Sequence, residues 1–294
     1  MGAKPGIGFT VPTMGLKPPV VLTIAGFDPS SGAGITADIK TIAAHGCYGI
    51  ACISALTVQS TAGVRRVEPV QPEIIKETLA ELASDVEIAA IHIGMLGSGK
   101  AVRAVVDFLA ANPCHNIVLD PVMKSSSGMD LLDPAGVRLM IEKLIPLSAV
   151  VTPNVDEAAA ITGLAVTNPD QMRAAAHKLH QMGATGVVVT GGHLDQAIDL
   201  LSFTSPQGIQ QEIFKSPRLR STSTHGTGCA FATSIACHFA MGRGLPEAVL
   251  LAKAYVSAAI SNAHPLGHGI GPVHHLYRMY QQKRAVGGDR EPVH

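Results

Sequence analysis

The stretch THGTGCAF (224–231) sets a cysteine directly behind two glycines, and it carries the clearest chemistry in the chain. Gly226, Thr227 and Gly228 can turn successive backbone N–H groups into one concavity at a helix start, a geometry that holds anions. Cys229 would then face the positive end of the helix, which lowers a thiol's pKa and raises its thiolate fraction. Three uses remain open from these residues alone: catalytic, redox or packing, because an isolated cysteine is most often a small buried hydrophobe. Cys237, two turns along the same helix, suits packing; Cys229, set in the glycine loop, suits it poorly.

Other stretches offer polar groups at comparable places. GFDPSSGAG (26–34) lies between a strand and a helix, where Gly32 and Gly34 would let the backbone approach a ligand. It breaks the G-x-G spacing of a dinucleotide fingerprint, and a tight turn chosen for geometry alone explains it equally well. TPNVDEA (152–158) places Asn154 three residues before Glu157, the form of a capping box, and the same two oxygen-bearing side chains could hold hydrated magnesium. VVVTGGHL (187–194) ends a strand in a hydroxyl and two glycines. GMLGSGKA (94–101) has P-loop spacing but an alanine where the magnesium-binding hydroxyl belongs. HPLGHGIGPVHH (264–275) has four histidines, yet His264 and His268 straddle Pro265 and Gly267 and cannot share a helix face, which argues against a metal site.

The elements that must position these residues follow from periodicity. Apolar runs at 20–26, 51–59, 88–94, 116–123, 149–154 and 187–192 read as strands. Between them, Ile35/Ile39/Ile42, Ile75/Leu79/Leu82 and Val102/Val105/Val106/Leu109 mark helical faces. Shorter strands near 198–203 and 210–214 can form a hairpin at a sheet edge, and two helices (228–241 and 246–262) close the chain. Repeated βα units with fully apolar strands predict a mainly parallel sheet covered on both faces, in preference to a closed barrel. Ligands bind beyond the carboxyl ends of such strands, where Asp28, Gln59, Met95, Asp120, Asn154 and Thr190 stand.

Bulk composition narrows the function classes. Lys plus Arg and Asp plus Glu both number 22, and aromatic residues are 4% with no Trp, which argues against nucleic-acid and anionic-membrane partners. Five cysteines without CxxC spacing suggest free thiols in a reducing compartment, and no apolar run approaches the length of a membrane span. We therefore expect a cytoplasmic protein with a Gly/Pro-rich flexible arm over 1–19, a single domain over 20–280 and a tail over 281–294.

Taken in order, LTIAGFDPSSGAGITADIKT, TVQSTAGV, IGML, LDPVM, TPNVDEA, GGHL, THGTGC and GIGPVHH resemble the hydroxymethylpyrimidine/phosphomethylpyrimidine kinases of thiamine synthesis, within the ribokinase-like family. The resemblance implies a three-layer α/β/α sandwich, usually a homodimer. It implies ATP- and Mg2+-dependent phosphorylation of a small pyrimidine's hydroxymethyl group and then of its monophosphate. Carried over by position, Gln59 would read the aminopyrimidine edge, with Gly26, Ala33, Asp38 and Met95 lining the pocket. Asn154 and Glu157 would organise magnesium through water, and Thr190, Gly192, His225 and Lys253 would contact the nucleotide. Gly226, Thr227 and Gly228 would form the anion hole, and Cys229 would stand where related sugar kinases carry an aspartate base.

Two positions depart from the pattern. Thr190 and His92 stand where lysines are common, and a threonine at the first also occurs in related pyridoxal kinases. Pyridoxal phosphorylation is thus the alternative activity, and a non-catalytic pyrimidine sensor is a further one. Gln59, suited to an aminopyrimidine, stands against the first, and the intact Gly-Thr-Gly-Cys loop, which some pyridoxal kinases share, stands against the second.

Overall fold

The computed structural model describes residues 17–192, 197–216 and 221–279. Apart from 17–19, the expected arm and the tail lie outside the described residues, as do His193 and Leu194 of the GGHL stretch.

The chain runs β1 (Val20–Phe27), α1 (Gly34–Ala44), β2 (Tyr48–Ser60), β3 (Gly63–Pro69), α2 (Pro72–Asp85), β4 (Ile88–Ile93), α3 (Gly99–Ala111) and β5 (Ile117–Leu119). It continues through α4 (Pro134–Leu139), β6 (Val150–Val151), α5 (Val155–Thr162), α6 (Pro169–Gln181), β7 (Gly186–Gly191), β8 (Ala197–Ser205), β9 (Gly208–Ser216), α7 (Thr227–Ala240) and α8 (Leu245–Ser261). The strands form one sheet in the order β3-β2-β1-β4-β5-β6-β7-β8-β9. β2, β1, β4, β5, β6 and β7 are parallel neighbours, while β3, β8 and β9 join antiparallel. The sheet is open, ending on β3 and β9, as the hairpin and the paired terminal helices led us to expect.

Successive strand residues face opposite sides, and both sides are covered. Leu22, Ile24, Ile91, Ile93, Leu119, Val187 and Val189 pack with α2, α3, α5 and α6. Val21, Ala90, Val118, Val150 and Val188 pack with α7 and α8. Each such side chain sealed from water contributes roughly 1.5–3 kcal/mol, which is why these strands read as unbroken apolar runs. Strand order reverses between β1 and β4, opening a crevice at their carboxyl ends.

The sequence reading missed β3. VRRVEP carries Arg65, Arg66 and Glu68, all exposed, and an edge strand of this kind gains its pairing from β2 rather than from an apolar face. The strand expected over 116–123 is cut to Ile117–Leu119 because Pro121 has no N–H to pair. No helix among the described residues is long and apolar enough to cross a membrane.

Beneath α7, His238 is 7% exposed and neither ring nitrogen has a hydrogen-bond partner. Burial, helped by Arg243 and Arg278, pushes it down to about 4. The native imidazole thus stays neutral while the unfolded one gains a proton below its ordinary value, so this residue's contribution falls as pH drops from about 6.5 towards 4. His238→Leu removes both costs. We expect denaturant melts to show a gain of about 1 kcal/mol at pH 7 that widens by roughly 1–2 kcal/mol at pH 5. A variant less stable than wild type at both pH values would contradict this.

Candidate active site

Two glycine loops meet over the crevice. Gly226 has a left-handed φ of 80°, and a Cβ there would lie 1.8 Å from the Gly32 carbonyl oxygen. A Cβ on Gly32 would lie 2.3 Å from the His225 ring, and one on Gly34 would lie 2.2 Å from the Gly26 oxygen. Gly32 and Gly34 therefore allow close contact between protein segments, the geometric one of the two readings that the sequence left open. Met95, at the end of β4, closes the floor: its sulfur would be 2.8 Å from a Cβ on Gly26. Ala33 is the N-cap of α1, and its N–H donates to Asp28 Oδ2 at 2.9 Å.

Gly226 caps α7, whose first turn contains Thr227, Gly228 and Cys229. The N–H groups of Gly228 and Cys229 have no acceptor among the described residues, so two donors at a positive helix end stand uncommitted. A Cβ on Gly228 would find only Asp120 Oδ2, at 3.7 Å. The structure corrects the expectation for the thiol itself. Cys229 is raised well above the ordinary thiol value by burial and by the carboxylates of Asp120, Asp38 and Glu157, with the Gly34 N–H pulling the other way. Burial, with nearby carboxyl groups adding to it, outweighs the local helix end.

Asp120 was noted only as a strand-end residue, yet it joins this group. It directly follows β5 and is 6% exposed; burial raises it to about 6, with His92 opposing and Asp38 adding. Glu157, 9% exposed, is raised to about 8 by burial first and then by Asp120. Its Oε2 accepts from the Asn154 N–H at 2.9 Å, and Asn154 Oδ1 accepts from the Glu157 N–H at 2.9 Å. The capping box is therefore formed, and it sets the Glu157 carboxyl towards Asp120. Two buried carboxyl groups, both raised by burial and one raised further by the other, suit a hard divalent cation. Among the described residues no group of three or more His, Cys, Asp or Glu side chains could hold a metal alone. The pattern matches magnesium, which keeps water and phosphate oxygens in its shell.

Asp38, expected to line the pocket, lies beneath it. It is fully buried, accepts from Thr23 Oγ1 at 2.7 Å and Thr233 Oγ1 at 2.8 Å, and stands 3.3 Å from His92 Nδ1. Burial lowers His92, but Asp38 and Asp120 together bring it above its ordinary value, favouring the protonated imidazole at a position where lysines are common.

Of the residues expected to meet the nucleotide, Thr190 donates its N–H to the Pro153 carbonyl at 2.9 Å, which places it next to Asn154. Lys253 pairs with Asp199 Oδ2, while Asp199 Oδ1 accepts from the Gly191 N–H at 3.1 Å beside exposed Gly192. His225 departs from its expected nucleotide role. Its Nε2 is 2.9 Å from Asp28 Oδ2 and 3.2 Å from the Gln59 amide, on the pocket side. In the P-loop lookalike, the Gly99 N–H is already taken by Asp133 Oδ2 at 2.9 Å. The glycines of GIGP clamp the β2–β3 turn: the Ile270 N–H donates to the Thr61 carbonyl at 3.0 Å.

The family model described as phosphomethylpyrimidine kinase matches residues 28–274. A hydroxymethylpyrimidine/phosphomethylpyrimidine kinase from Haemophilus influenzae is 39% identical, over 87% of this chain and 96% of that protein. A thiamine biosynthesis bifunctional protein from Geobacter sulfurreducens is 42% identical over 87% of this chain. The chain spans only about half of that relative, 52% of its length. Among solved structures, a phosphomethylpyrimidine kinase from Clostridium difficile has a TM-score of 0.73 at 37% identity, covering 82% of this chain and 99% of that one. An ADP complex of pyridoxal kinase from Bacillus subtilis has a TM-score of 0.80 at 31% identity, covering 89% and 99%.

Proposed function

Because this chain belongs to the phosphomethylpyrimidine kinase family, we propose that it transfers the γ-phosphoryl group of ATP to 4-amino-5-hydroxymethyl-2-methylpyrimidine and then to the monophosphate so formed. It is a phosphotransferase, and the product of the second step is the pyrophosphate used in thiamine synthesis. The observation that carries the reading is the pair of uncommitted N–H groups at Gly228 and Cys229, facing a carboxylate cluster at the crevice.

Phosphoryl transfer asks chiefly for positioning and charge stabilisation. In this reading Gln59, Gly26, Ala33 and Met95 hold the pyrimidine. The Gly226–Thr227–Gly228 loop and the Cys229 N–H receive the charge that develops on the transferring group, where preorganised donors act most strongly. Cys229, as its thiolate, takes the hydroxyl proton as the oxygen attacks phosphorus. Asp120, Glu157 and Asn154 would hold Mg2+, largely through water, and bound magnesium supplies charge neutralisation for the phosphates. Thr190, Gly192 and Lys253 line the nucleotide side, with the Asp199 pair keeping Lys253 in place. We read the working protein as a cytoplasmic homodimer.

Overall likeness does not separate a pyrimidine kinase from a pyridoxal kinase, since both share this fold. Gln59 does, because a site built for a particular hydrogen-bonding edge leaves buried groups unpaired with the wrong ligand. We expect ATP-coupled turnover on the hydroxymethylpyrimidine to exceed that on pyridoxal by about 100-fold or more in kcat/KM. A reversed ratio would move the assignment to pyridoxal.

A further inference from the structure

His225 stands at the join of the two glycine loops, and a count of its hydrogens gives it a task. Asp28 is 3% exposed, and hydrogen bonds from His225 and Ser30 keep it below the ordinary carboxylate range despite burial. Its Oδ1 accepts from the Ser30 N–H at 2.8 Å and the Ser30 hydroxyl at 2.7 Å. Its Oδ2 accepts from the Ala33 N–H at 2.9 Å and the Gly32 N–H at 3.3 Å. An ionised carboxylate only accepts, so the His225 Nε2 at 2.9 Å must carry the hydrogen and donate.

The Gln59 atom 3.2 Å from that same nitrogen meets a group with no lone pair, so it can only share the one hydrogen as a second, weaker acceptor, and in a primary amide only the oxygen accepts. The other end of the amide agrees. It lies 3.1 Å from Thr57 Oγ1, whose single hydrogen goes to the Phe27 carbonyl at 2.9 Å. Thr57 Oγ1 therefore has only lone pairs for Gln59, which calls for the amide nitrogen there. Nitrogen and oxygen of an amide exchange places by a half-turn, and the hydrogen count puts oxygen towards His225 and nitrogen towards Thr57.

In this orientation one N–H and one oxygen lone pair of Gln59 stay uncommitted. That donor–acceptor pair is complementary to a ring nitrogen beside an exocyclic amino group, the arrangement by which glutamine reads adenine. A pyridine without an amino group next to its ring nitrogen cannot make both bonds. The backbone anchors the histidine as well. The His225 N–H donates to the Gly271 carbonyl at 3.0 Å, while Ile270 of the same segment holds Thr61 just beyond Gln59. The GIGP segment thus ties the reading residue and its support to one frame.

We infer that His225, fixed by Asp28, is a positioning residue that sets the Gln59 amide for an aminopyrimidine edge and couples that recognition to the anion loop beginning at Gly226. The inference rests on the aminopyrimidine reading of the site. Its test uses the full chain with His225→Phe, which removes the N–H, and His225→Gln, whose amide can still donate to Asp28.

For His225→Phe we expect KM for the hydroxymethylpyrimidine to rise about 10- to 100-fold, the size of a lost hydrogen bond to a buried polar group. KM for ATP should stay within about twofold, and the preference over pyridoxal should fall by a similar factor. His225→Gln should recover part of both, with calorimetric binding of the pyrimidine following the same order. If KM for ATP rises while that for the pyrimidine holds, His225 serves the nucleotide and the inference fails. Equal impairment of the two folded variants would reduce it to a packing role and would also overturn the inference. Should His225→Phe melt below the assay temperature, His225→Gln alone decides: a partial rise in pyrimidine KM and a partly lost preference over pyridoxal, with KM for ATP held, support the inference, whereas wild-type values or the full loss refute it. A wild-type chain that neither binds nor phosphorylates the pyrimidine sinks the functional reading itself, an outcome distinct from each of these.

Discussion

Cys229→Ser is expected to lower turnover by about 100-fold or more while leaving the KM for pyrimidine nearly unchanged. The backbone donors of the anion loop survive the substitution, and so does the shape of the pocket. What changes is acidity: serine's hydroxyl ionises far less readily than a thiol, so the anion that would accept the proton is all but absent. Burial first, and then the carboxyl groups of Asp120 and Asp38, hold the wild-type thiol well above its ordinary value in the free chain. We therefore expect wild-type kcat/KM to go on rising with pH across the neutral to mildly alkaline range as the thiolate fraction grows. That rise should vanish in Cys229→Ser. Near-wild-type turnover in the variant would leave Cys229 as a spacer in the anion loop.

Gly226→Ala is expected to damage both fold and activity. A side chain at a φ of 80° costs about 1–2 kcal/mol by itself. Its Cβ would also lie 1.8 Å from the Gly32 carbonyl oxygen, so one of the two loops must move, at a further cost of about 1–3 kcal/mol. Melting should show the sum, and turnover should fall by at least about 100-fold because the loop that moves carries the anion-hole donors. Gly228→Ala is the contrast. Its nearest contact is Asp120 Oδ2 at 3.7 Å, so stability should be close to wild type, while turnover should fall if the new methyl intrudes on the phosphoryl position that we propose. Wild-type melting and turnover in Gly226→Ala would show that the two loops do not meet as described.

Much of this molecule can be read from local pattern. The apolar runs become buried strands, the Gly-Thr-Gly-Cys stretch opens α7, and Asn154 with Glu157 forms a capping box. Each depends on residues within a few positions of one another, through side-chain periodicity, backbone conformation or a local hydrogen bond. β3 escaped because its stability lies in pairing with β2, a partner that its charged face does not announce.

The electrostatics and the division of labour were decided elsewhere. Spacing along the chain placed Cys229 at a positive helix end; folding set Asp120, Asp38 and Glu157 around it and reversed the sign of its shift. Asp38 resembled a pocket residue until α1 buried it against Thr23, Thr233 and His92. His225 resembled a nucleotide contact until the meeting of two distant loops joined it to Asp28 and Gln59. By itself the sequence determined the layered fold, the loops that carry chemistry and the family. Only the tertiary structure decided which of those groups share a space, because Coulomb interactions, desolvation and donor–acceptor pairing depend on through-space distance and burial between residues far apart in the chain.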